Sequence, residues 1–229
     1  MTAITFDFGQ TLAELDLDML VRRLAEQGAR LDAARAARET DAAWAAYGDA
    51  KRAGLVAHDA WCTFMRTLLE RSGVEGRPVG ELAEWLWEQQ PIQNLWRKPI
   101  AGMFELVEEL SELGVPLGVV SNSEGKLSEL CVELGIRSRF RAFADSGVLG
   151  VEKPDKRIFE WTAAELGVST SNIVHVGDAW EADVVGALNA GARAIWFAPV
   201  DARPLPEGVR AARNAPEVRS ALGDFGALP

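Results

Sequence analysis

The most informative stretch of this chain is Ile4-Thr5-Phe6-Asp7-Phe8-Gly9-Gln10-Thr11-Leu12. Residues 4–8 are mostly β-branched or aromatic and are followed by a glycine, a pattern that predicts a short buried strand. Asp7 then lies near the carboxyl end of this strand, and Thr11 follows four residues later. Ligands of parallel α/β sheets bind outside the carboxyl ends of the strands, so both side chains are candidates for a functional site.

Beyond this first strand the sequence pattern is helical as far as Gln90. No strand-like run interrupts it, and Ser72-Gly73 and Pro91 are typical helix-ending residues. We therefore predict an all-helical insertion over 16–94. The four candidate helices are Leu17–Gln27, Leu31–Tyr47, Val56–Arg71 and Val79–Gln90.

After Pro99 short apolar runs alternate with helical stretches of about ten residues, which is typical of βαβ units and of a parallel sheet covered on both faces. We predict an α/β fold, with a doubly wound, Rossmann-like parallel sheet in a core domain of 1–15 and 95–229 that carries the helical insertion after its first strand. The further predicted strands are Leu117–Val120, Ile173–Val176 and Ala194–Phe197. The predicted core helices are Met103–Leu113, Lys126–Leu134, Asp155–Leu166, Ala182–Ala190 and Pro216–Leu222.

Composition narrows the class of protein. A chain of 229 residues with 48% hydrophobic residues can bury a sizeable core. The net charge of −10 argues against nucleic acid as a partner, because binding a phosphate backbone needs a basic face. No apolar run approaches the roughly 18 residues that span a membrane, and no basic segment followed by an apolar one opens the chain. We expect a cytoplasmic protein without membrane contact, either a monomer or a homodimer.

The cysteines and histidines carry little signal in the sequence. Cys62 and Cys131 are too few and too far apart for a disulfide framework or a thiolate metal site, and we interpret both as buried small hydrophobes in a reducing compartment. His58 and His175 are interpreted as structural or surface groups, because nothing in the sequence pairs either of them with a nucleophile.

Polar residues follow the other predicted strands as well. Ser121 and Asn122 come after one strand and Asp178 after another, while Lys153 begins the entry to a helix. Because the carboxyl ends of parallel strands meet at one edge of the sheet, we expect these side chains to converge with Asp7.

The chemical types of these residues fit together. Asp7 and Asp178 would repel each other at close range, so we expect a cation between them, and oxygen ligands suit Mg²⁺. Lys153 supplies a fixed positive charge for a phosphoryl group, and the hydroxyls of Thr11 and Ser121 can donate hydrogen bonds to its oxygens. A further carboxylate, Asp183, is a candidate for orienting Lys153 or a metal-bound water.

Four motifs in this order resemble those of the haloacid dehalogenase (HAD) superfamily. They are, in chain order, Asp7 with Thr11; Ser121 in Val119-Val120-Ser121-Asn122-Ser123; Lys153 in Val151-Glu152-Lys153-Pro154-Asp155; and Gly177-Asp178 with Asp183. Each is weak alone, but four in order, each at a strand end or helix entry, are a specific signal. The similarity covers the core from end to end, and the helical insertion resembles the C1-type cap of this superfamily.

The resemblance implies roles for the residues that match its motifs. Asp7 would attack phosphorus and form a covalent aspartyl intermediate. The catalytic and substrate-binding groups beside it would be Thr11, Ser121, Asn122 and Lys153. The groups that hold Mg²⁺ would be Asp7, the main-chain carbonyl of Gly9, Asp178 and, in support, Asp183. The implied activity is hydrolysis of a small phosphorylated substrate.

One position departs from the superfamily's pattern. Its phosphatases carry a second aspartate, the general acid/base, where this chain has Gly9. Such assistance typically contributes about 10²–10⁴-fold to a rate. We therefore predict a Mg²⁺-dependent phosphatase with reduced or atypical acid/base catalysis, in which another group such as Glu14 manages the proton.

Three alternatives to this prediction stay open. Phosphonatases of the superfamily also lack the second aspartate and use a cap lysine, for which Lys51 is the candidate here. 2-Haloacid dehalogenases attack with aspartate and need no proton donor, but they use no metal, which leaves Asp178 and Asp183 without a role. The third alternative is a HAD-fold protein without turnover that acts as a binding or regulatory partner.

Overall fold

The computed structural model of the chain describes residues 1–198 and 204–229. The chain divides into two compact units: unit 1 comprises Met1–Leu15 and Trp96–Pro229, and unit 2 comprises Asp16–Leu95. These bounds lie within one residue of the predicted boundaries, while the role of unit 2 as a cap domain stays a prediction. Among the residues described, no helix combines the length and the apolar character needed to cross a membrane.

Unit 1 is built on a parallel sheet. Its strands are β1 (Ala3–Phe6), β2 (Ala13–Leu15), β3 (Trp96–Pro99), β4 (Leu117–Ser121), β5 (Ala142–Asp145), β6 (Ile173–Gly177), β7 (Arg193–Phe197) and β8 (Val209–Ala212). Six of them form a sheet of order β5-β4-β1-β6-β7-β8 in which every neighbouring pair is parallel. The chain starts in the middle at β1 and builds one side through β4 and β5, then the other through β6 to β8. This confirms the predicted doubly wound α/β fold and brings the carboxyl ends of β1, β4 and β6 side by side.

Unit 2 consists mainly of four helices, of which α3 packs against both α2 and α4. They are α1 (Leu17–Glu26), α2 (Ala33–Arg52), α3 (Ala57–Arg71) and α4 (Val79–Gln89). Leu20, Leu24, Leu68, Leu69 and Leu82 are fully buried. Burying a leucine side chain contributes about 1.5–3 kcal/mol, which makes apolar packing the main source of stability in this unit.

Helices of unit 1 cover both faces of the sheet. They are α5 (Met103–Glu112), α6 (Leu127–Glu133), α7 (Ser146–Leu149), α8 (Lys156–Leu166), α9 (Gly186–Asn189) and α10 (Ala215–Asp224). Side chains alternate between the faces along β1, so Ile4 and Phe6 pack in the layer of α5, α6 and α10, whereas Ala3 packs in the layer of α8 and α9. The sheet is therefore buried on both sides.

Several short strands were not predicted. The antiparallel pair β2–β3 and the strands β5 and β8 have three or four residues each. Alanine, lysine and glutamate in these runs have weak strand preference, so their extended form depends on pairing with a neighbour that is distant in sequence.

The second predicted helix ended too early. Leu31–Tyr47 was expected to stop before Gly48, but α2 runs through this glycine to Arg52. A glycine inside a helix costs only about 1 kcal/mol relative to alanine. Packing of buried residues such as Ala43 and Ala50 on either side offsets that cost, and the chain leaves the helix at Gly54, whose φ of 84° lies in the left-handed region.

Candidate active site

Asp7, Lys153 and Asp183 form a buried ion-pair cluster in unit 1. The Nζ atom of Lys153 lies 2.7 Å from Oδ1 of Asp7 and 2.5 Å from Oδ1 of Asp183. Lys153 is 4% exposed, Asp7 8% and Asp183 1%. The two carboxylates together supply the charge and the hydrogen bonds that make a buried ammonium tolerable.

The strand ends place the predicted residues. Asp7 follows β1 directly, and Asp178 follows β6, which is hydrogen-bonded to β1 as its parallel neighbour. Ser121 is the last residue of β4, on the other side of β1. The structure therefore brings these three positions to one edge of the sheet.

Asn122 holds the main chain of Lys153. Its Nδ2 atom donates to the carbonyl oxygen of Lys153 at 3.0 Å, and the N–H of Lys153 donates to Oδ1 of Asn122 at 2.8 Å. The amide nitrogen and oxygen of Asn122 thus both hold the main chain of the loop that carries Lys153. The predicted contact of Asn122 with substrate stays a prediction, and the positioning of Lys153 is a role that sequence reasoning missed.

His175 also belongs to this cluster. Its ring lies between the Oγ1 atom of Thr5, 2.9 Å from Nδ1, and Oδ1 of Asp183, 3.1 Å from Nε2. Thr5 and His175 are register partners on β1 and β6, and both are fully buried. The prediction that His175 is structural is consistent with this position, but its hydrogen bond to Asp183 was not foreseen. The sequence did contain a signal for this contact, because Thr5 and His175 are polar residues inside the otherwise apolar strands β1 and β6.

Asp183 is held by a close approach of the backbone. It lies in a π-helical turn, Trp180–Val185, and its Oδ2 atom accepts a hydrogen bond from the N–H of Ala179 at 2.8 Å. A Cβ atom on Gly177 would lie 2.2 Å from Cγ of Asp183. Only glycine at position 177 therefore leaves room for the carboxylate of Asp183. The predicted helix Ala182–Ala190 is in fact this turn followed by the short α9.

The ionisable groups of the cluster have shifted pKa values. Burial raises the pKa of Asp7 and raises that of Asp178 well above its ordinary value, and in both cases the charge of Asp183 adds to the effect. Burial also acts to raise the pKa of Asp183, but Lys153 and His175 outweigh it and lower this pKa to about 2. Burial opposes the charged form of Lys153, yet the two carboxylates raise its pKa. Burial lowers the pKa of His175, which favours the neutral imidazole.

The donor set fits a divalent cation. Asp7, Asp178 and Asp183 each offer a carboxylate oxygen, and these atoms lie within 4.8 Å of one another. Lys153 supplies one positive charge against three carboxylates, so ionising all of them leaves an excess of negative charge. A hard cation with oxygen ligands, such as Mg²⁺, matches both the charge and the donor type. Because the Asp183 oxygens already accept hydrogen bonds from Lys153, His175 and Ala179, support is a better match for this residue than direct ligation.

Thr11 and Gly9 lie in the turn after Asp7. Thr11 is fully buried, and its Oγ1 atom makes no hydrogen bond to any residue that the structure describes. Leaving such a group unsatisfied costs about 1–3 kcal/mol, so its hydroxyl is available for a ligand. Gly9 is half-buried, and its predicted role as a main-chain metal ligand stays a prediction.

Comparison with known proteins identifies the family of the chain. Residues 1–191 match the family of haloacid dehalogenase-like hydrolases. The chain is 32% identical over 191 residues to a phosphoserine phosphatase of Thermus thermophilus, an alignment that covers 81% of this chain and 71% of that protein. It is 37% identical over 125 residues to a glyceraldehyde 3-phosphate phosphatase of Methanopyrus kandleri, and there it spans about half of either protein, 54% of this chain and 53% of the relative.

A solved structure shares the fold over nearly the whole chain. The HAD-hydrolase YfnB from Bacillus subtilis, bound to magnesium, superimposes with a TM-score of 0.71 and 20% sequence identity over 96% of this chain and 98% of its own. At this identity the likeness shows the fold alone. The match to the family over residues 1–191 is what decides membership: the chain belongs to the haloacid dehalogenase-like hydrolases.

Proposed function

We propose that the protein is a Mg²⁺-dependent phosphatase that hydrolyses a small phosphorylated metabolite through an aspartyl phosphate on Asp7. The observation that carries the proposal is the buried contact between Asp7 and Lys153 beside two further carboxylates. The names of the two phosphatase relatives support the substrate class. Neither name identifies the particular metabolite, because each relative acts on a different one.

Asp7 is the proposed nucleophile. Lys153 binds its Oδ1 atom, which leaves Oδ2 to attack phosphorus. A bond forms between Oδ2 and phosphorus while the bond to the leaving oxygen breaks. Water then attacks the aspartyl phosphate, releases inorganic phosphate and restores the carboxylate. Burial disfavours the charged carboxylate, so the ammonium of Lys153 is needed to keep it ionised.

Lys153, Thr11 and Ser121 are the proposed contacts for the transferred phosphoryl group. Lys153 is a fixed positive charge in a site with little water, where electrostatic stabilisation is strongest. The Oγ1 atom of Thr11 has an unused hydrogen bond to give. Ser121 is buried at the neighbouring strand end. These groups can bind equatorial phosphoryl oxygens without rearrangement of the sheet.

We assign the metal to Asp7, the main-chain carbonyl of Gly9 and Asp178, with Asp183 in support. When bound, the ion would supply positive charge against the phosphoryl oxygens. Burial raises the pKa of Asp178 well above its ordinary value, so a bound cation would favour its ionised form. His175 and Asp183 would keep Lys153 in place beside that site.

Proton transfer to the leaving group distinguishes this chain from a phosphatase with two aspartates. Position 9 is glycine, and Glu14, half-buried on β2, pairs with Lys98 on the antiparallel strand β3 at 2.7 Å. The Glu14 carboxylate is thus held by Lys98. We propose that turnover is slow for alkyl phosphates and faster for substrates whose leaving group departs without a proton.

Unit 2 is the proposed C1-type cap. Its helices are continuous in sequence between β2 and β3, which places the whole insertion between the first motif and the rest of the core. Arginines of this unit are candidates for a substrate anion. Of these, Arg23 is buried and binds Gln89 and Gln93, and Arg71 pairs with Glu39, so Arg22 and Arg66 are the better candidates.

Phosphate release tests the proposal directly. Turnover of p-nitrophenyl phosphate, phosphoserine and glyceraldehyde 3-phosphate is measured with Mg²⁺ and with EDTA, in wild type and in Asp7→Asn. We expect Mg²⁺-dependent release that disappears in Asp7→Asn and persists in Asp41→Asn, an exposed aspartate on α2. Metal-independent chloride release from 2-chloropropionate, lost in Asp7→Asn, would instead assign the chain to the dehalogenases. Trapping of phosphonoacetaldehyde on Lys51 by borohydride would assign it to the phosphonatases.

A further inference from the structure

A second group of side chains that could hold a metal ion belongs to unit 2. It consists of His58 and Cys62, one turn apart on α3, and Glu84 on α4. The Nε2 atom of His58 lies 2.7 Å from Oε2 of Glu84 and 3.6 Å from Sγ of Cys62. All three donor atoms lie within 4.8 Å of one another. One nitrogen, one sulfur and one oxygen thus converge on a single point between two helices.

The other side of the His58 ring is also occupied. Its Nδ1 atom lies 2.9 Å from Oδ1 of Asp59. A metal-binding histidine usually donates its second ring N–H to a carboxylate or carbonyl, which fixes the tautomer and turns the other nitrogen toward the metal. The ring of Trp87 packs edge-on at 5.3 Å and fixes the plane of the imidazole. The orientation of His58 is therefore determined from two directions.

An ion pair alone does not account for the whole arrangement. Protonated His58 between Asp59 and Glu84 would explain the two carboxylates. It would not explain why the thiol of Cys62, predicted to be only a buried small hydrophobe, lies 3.6 Å from Nε2 of His58. Cys62 is fully buried, whereas His58 and Glu84 are 38% and 49% exposed at their side chains, so the sulfur forms the floor of a cluster that opens to solvent. This is the layout of a site with three protein ligands and an open position for water.

We propose that His58 Nε2, Cys62 Sγ and a carboxylate oxygen of Glu84 form a Zn²⁺ site that joins α3 to α4. The thiolate and the imidazole select a borderline-soft ion over Mg²⁺, so this site differs in chemistry from the carboxylate cluster of unit 1. Binding replaces the thiol proton of Cys62 by the metal and releases that proton to solvent. The distance between Nε2 and Oε2 would open from 2.7 Å to about 3.3 Å, as metal–ligand bonds of about 2.0–2.1 Å in a tetrahedron require.

Such a site would stabilise the helical unit. Helices α3 and α4 are joined through residues 72–78, and a metal bound between their facing sides would oppose their separation. Any ligand that binds only the folded state raises stability by mass action. We therefore expect Zn²⁺ to raise the midpoint of thermal unfolding of the whole protein.

Co²⁺ added to the metal-free full-length protein tests the proposal. Cobalt in a site with a thiolate ligand gives a sulfur-to-metal charge-transfer band in the near ultraviolet, which a site of carboxylates does not give. We expect this band to saturate at one equivalent in wild type and to be displaced by Zn²⁺. It should be lost in Cys62→Ser and unchanged in Cys131→Ser, a matched buried cysteine of unit 1. It should also be unchanged in Asp178→Asn, which removes a carboxylate of the other cluster.

Two exposed positions keep the test independent of folding. Glu84 and Asp59 lie at the surface, so Glu84→Gln and Asp59→Asn do not disturb the buried core. We expect Glu84→Gln to weaken Co²⁺ binding by more than about tenfold, and Asp59→Asn to weaken it by about 10–100-fold through the imidazole. Absence of the band in wild type would overturn the proposal. So would a band that survives Cys62→Ser, or affinities that Glu84→Gln leaves unchanged.

Discussion

A Cβ atom on Gly9 would lie 3.5 Å from the Cδ1 atom of Trp96, an ordinary van der Waals distance. The φ angle of Gly9 is not in the left-handed region, in contrast to that of Gln10, which is 58°. Neither space nor backbone conformation therefore demands glycine at this position. Glycine at position 9 therefore affects the chemistry of the site rather than the folding of the chain, and a larger residue can be introduced there by mutation.

We predict that Gly9→Asp increases turnover of phosphates with poor leaving groups. An aspartate there can protonate the departing oxygen, which is worth at most about 10²–10⁴-fold. The gain in kcat/KM should be large for phosphoserine and small for p-nitrophenyl phosphate, whose leaving group needs no proton. Gly9→Asn is the matched control, because it has the same size without an acid. Equal gains for both substrates, or equal gains for both variants, would contradict the prediction.

Lys153→Met should reduce stability as well as activity. Removing the ammonium leaves the carboxylates of Asp7 and Asp183 buried without their cation, a change that typically costs about 3–5 kcal/mol. The free energy of unfolding is measured by urea denaturation in EDTA. Lys156→Met is the control, because that lysine is exposed on α8, where its pair with Glu160 is expected to contribute less than about 1 kcal/mol. Similar losses of unfolding free energy in the two variants would show that the Lys153 ammonium does not stabilise the buried carboxylates of Asp7 and Asp183.

Gly177→Ala should displace Asp183. The new methyl group would lie 2.2 Å from Cγ of that residue, so the carboxylate must move away from Lys153 and His175. We expect a loss of about 1–3 kcal/mol in unfolding free energy and a strong drop in kcat. Gly223→Ala on α10 is the control, since its methyl group would lie 3.9 Å from Cδ1 of Leu228 and should be neutral or slightly stabilising. Unchanged kcat in Gly177→Ala would argue against a role for Asp183 in catalysis.

Glu124 should make stability depend on pH. Burial raises the pKa of this side chain to about 7, and Asp145 adds to the shift. Between about pH 4.5 and 7 the folded protein then binds more protons at Glu124 than the unfolded chain does, so stability contributed by the protonated group is present at low pH and lost as pH rises. Glu124→Gln should be more stable than wild type by about 1–3 kcal/mol at pH 8 and no different at pH 4.

The measurement for Glu124 is the difference in unfolding free energy between variant and wild type across this range of pH. Glu129→Gln, an exposed glutamate on α6, is the control. Its difference from wild type should not grow as pH rises from 4.5 to 7. A flat difference for Glu124→Gln would show that this carboxyl is ionised throughout.

Much of unit 1 was predictable because its signals are local. The buried strands β1, β4 and β6 are apolar runs of four or five residues that end in small or polar residues, and hydrophobic pattern alone locates them. Asp7, Ser121 and Asp178 lie at or just after their ends, so the parallel topology predicts their meeting. The short strands β2, β3, β5 and β8 lack such a pattern, because pairing with distant segments is what keeps them extended.

The order of the long helices and buried strands, the chemical groups at strand ends and the glycine at position 9 could be read from the residues alone, since these depend on residue type and period along the chain. Which side chains contact one another depends on the tertiary structure. Asp7 meets Lys153 across 146 positions, His175 meets Asp183 through the register of β6 and the turn after it, and His58 faces Glu84 across two helices. Such contacts depend on how helices and strands pack in space. A buried charge that is stabilised by a partner distant in sequence produces no periodic pattern of residues along the chain.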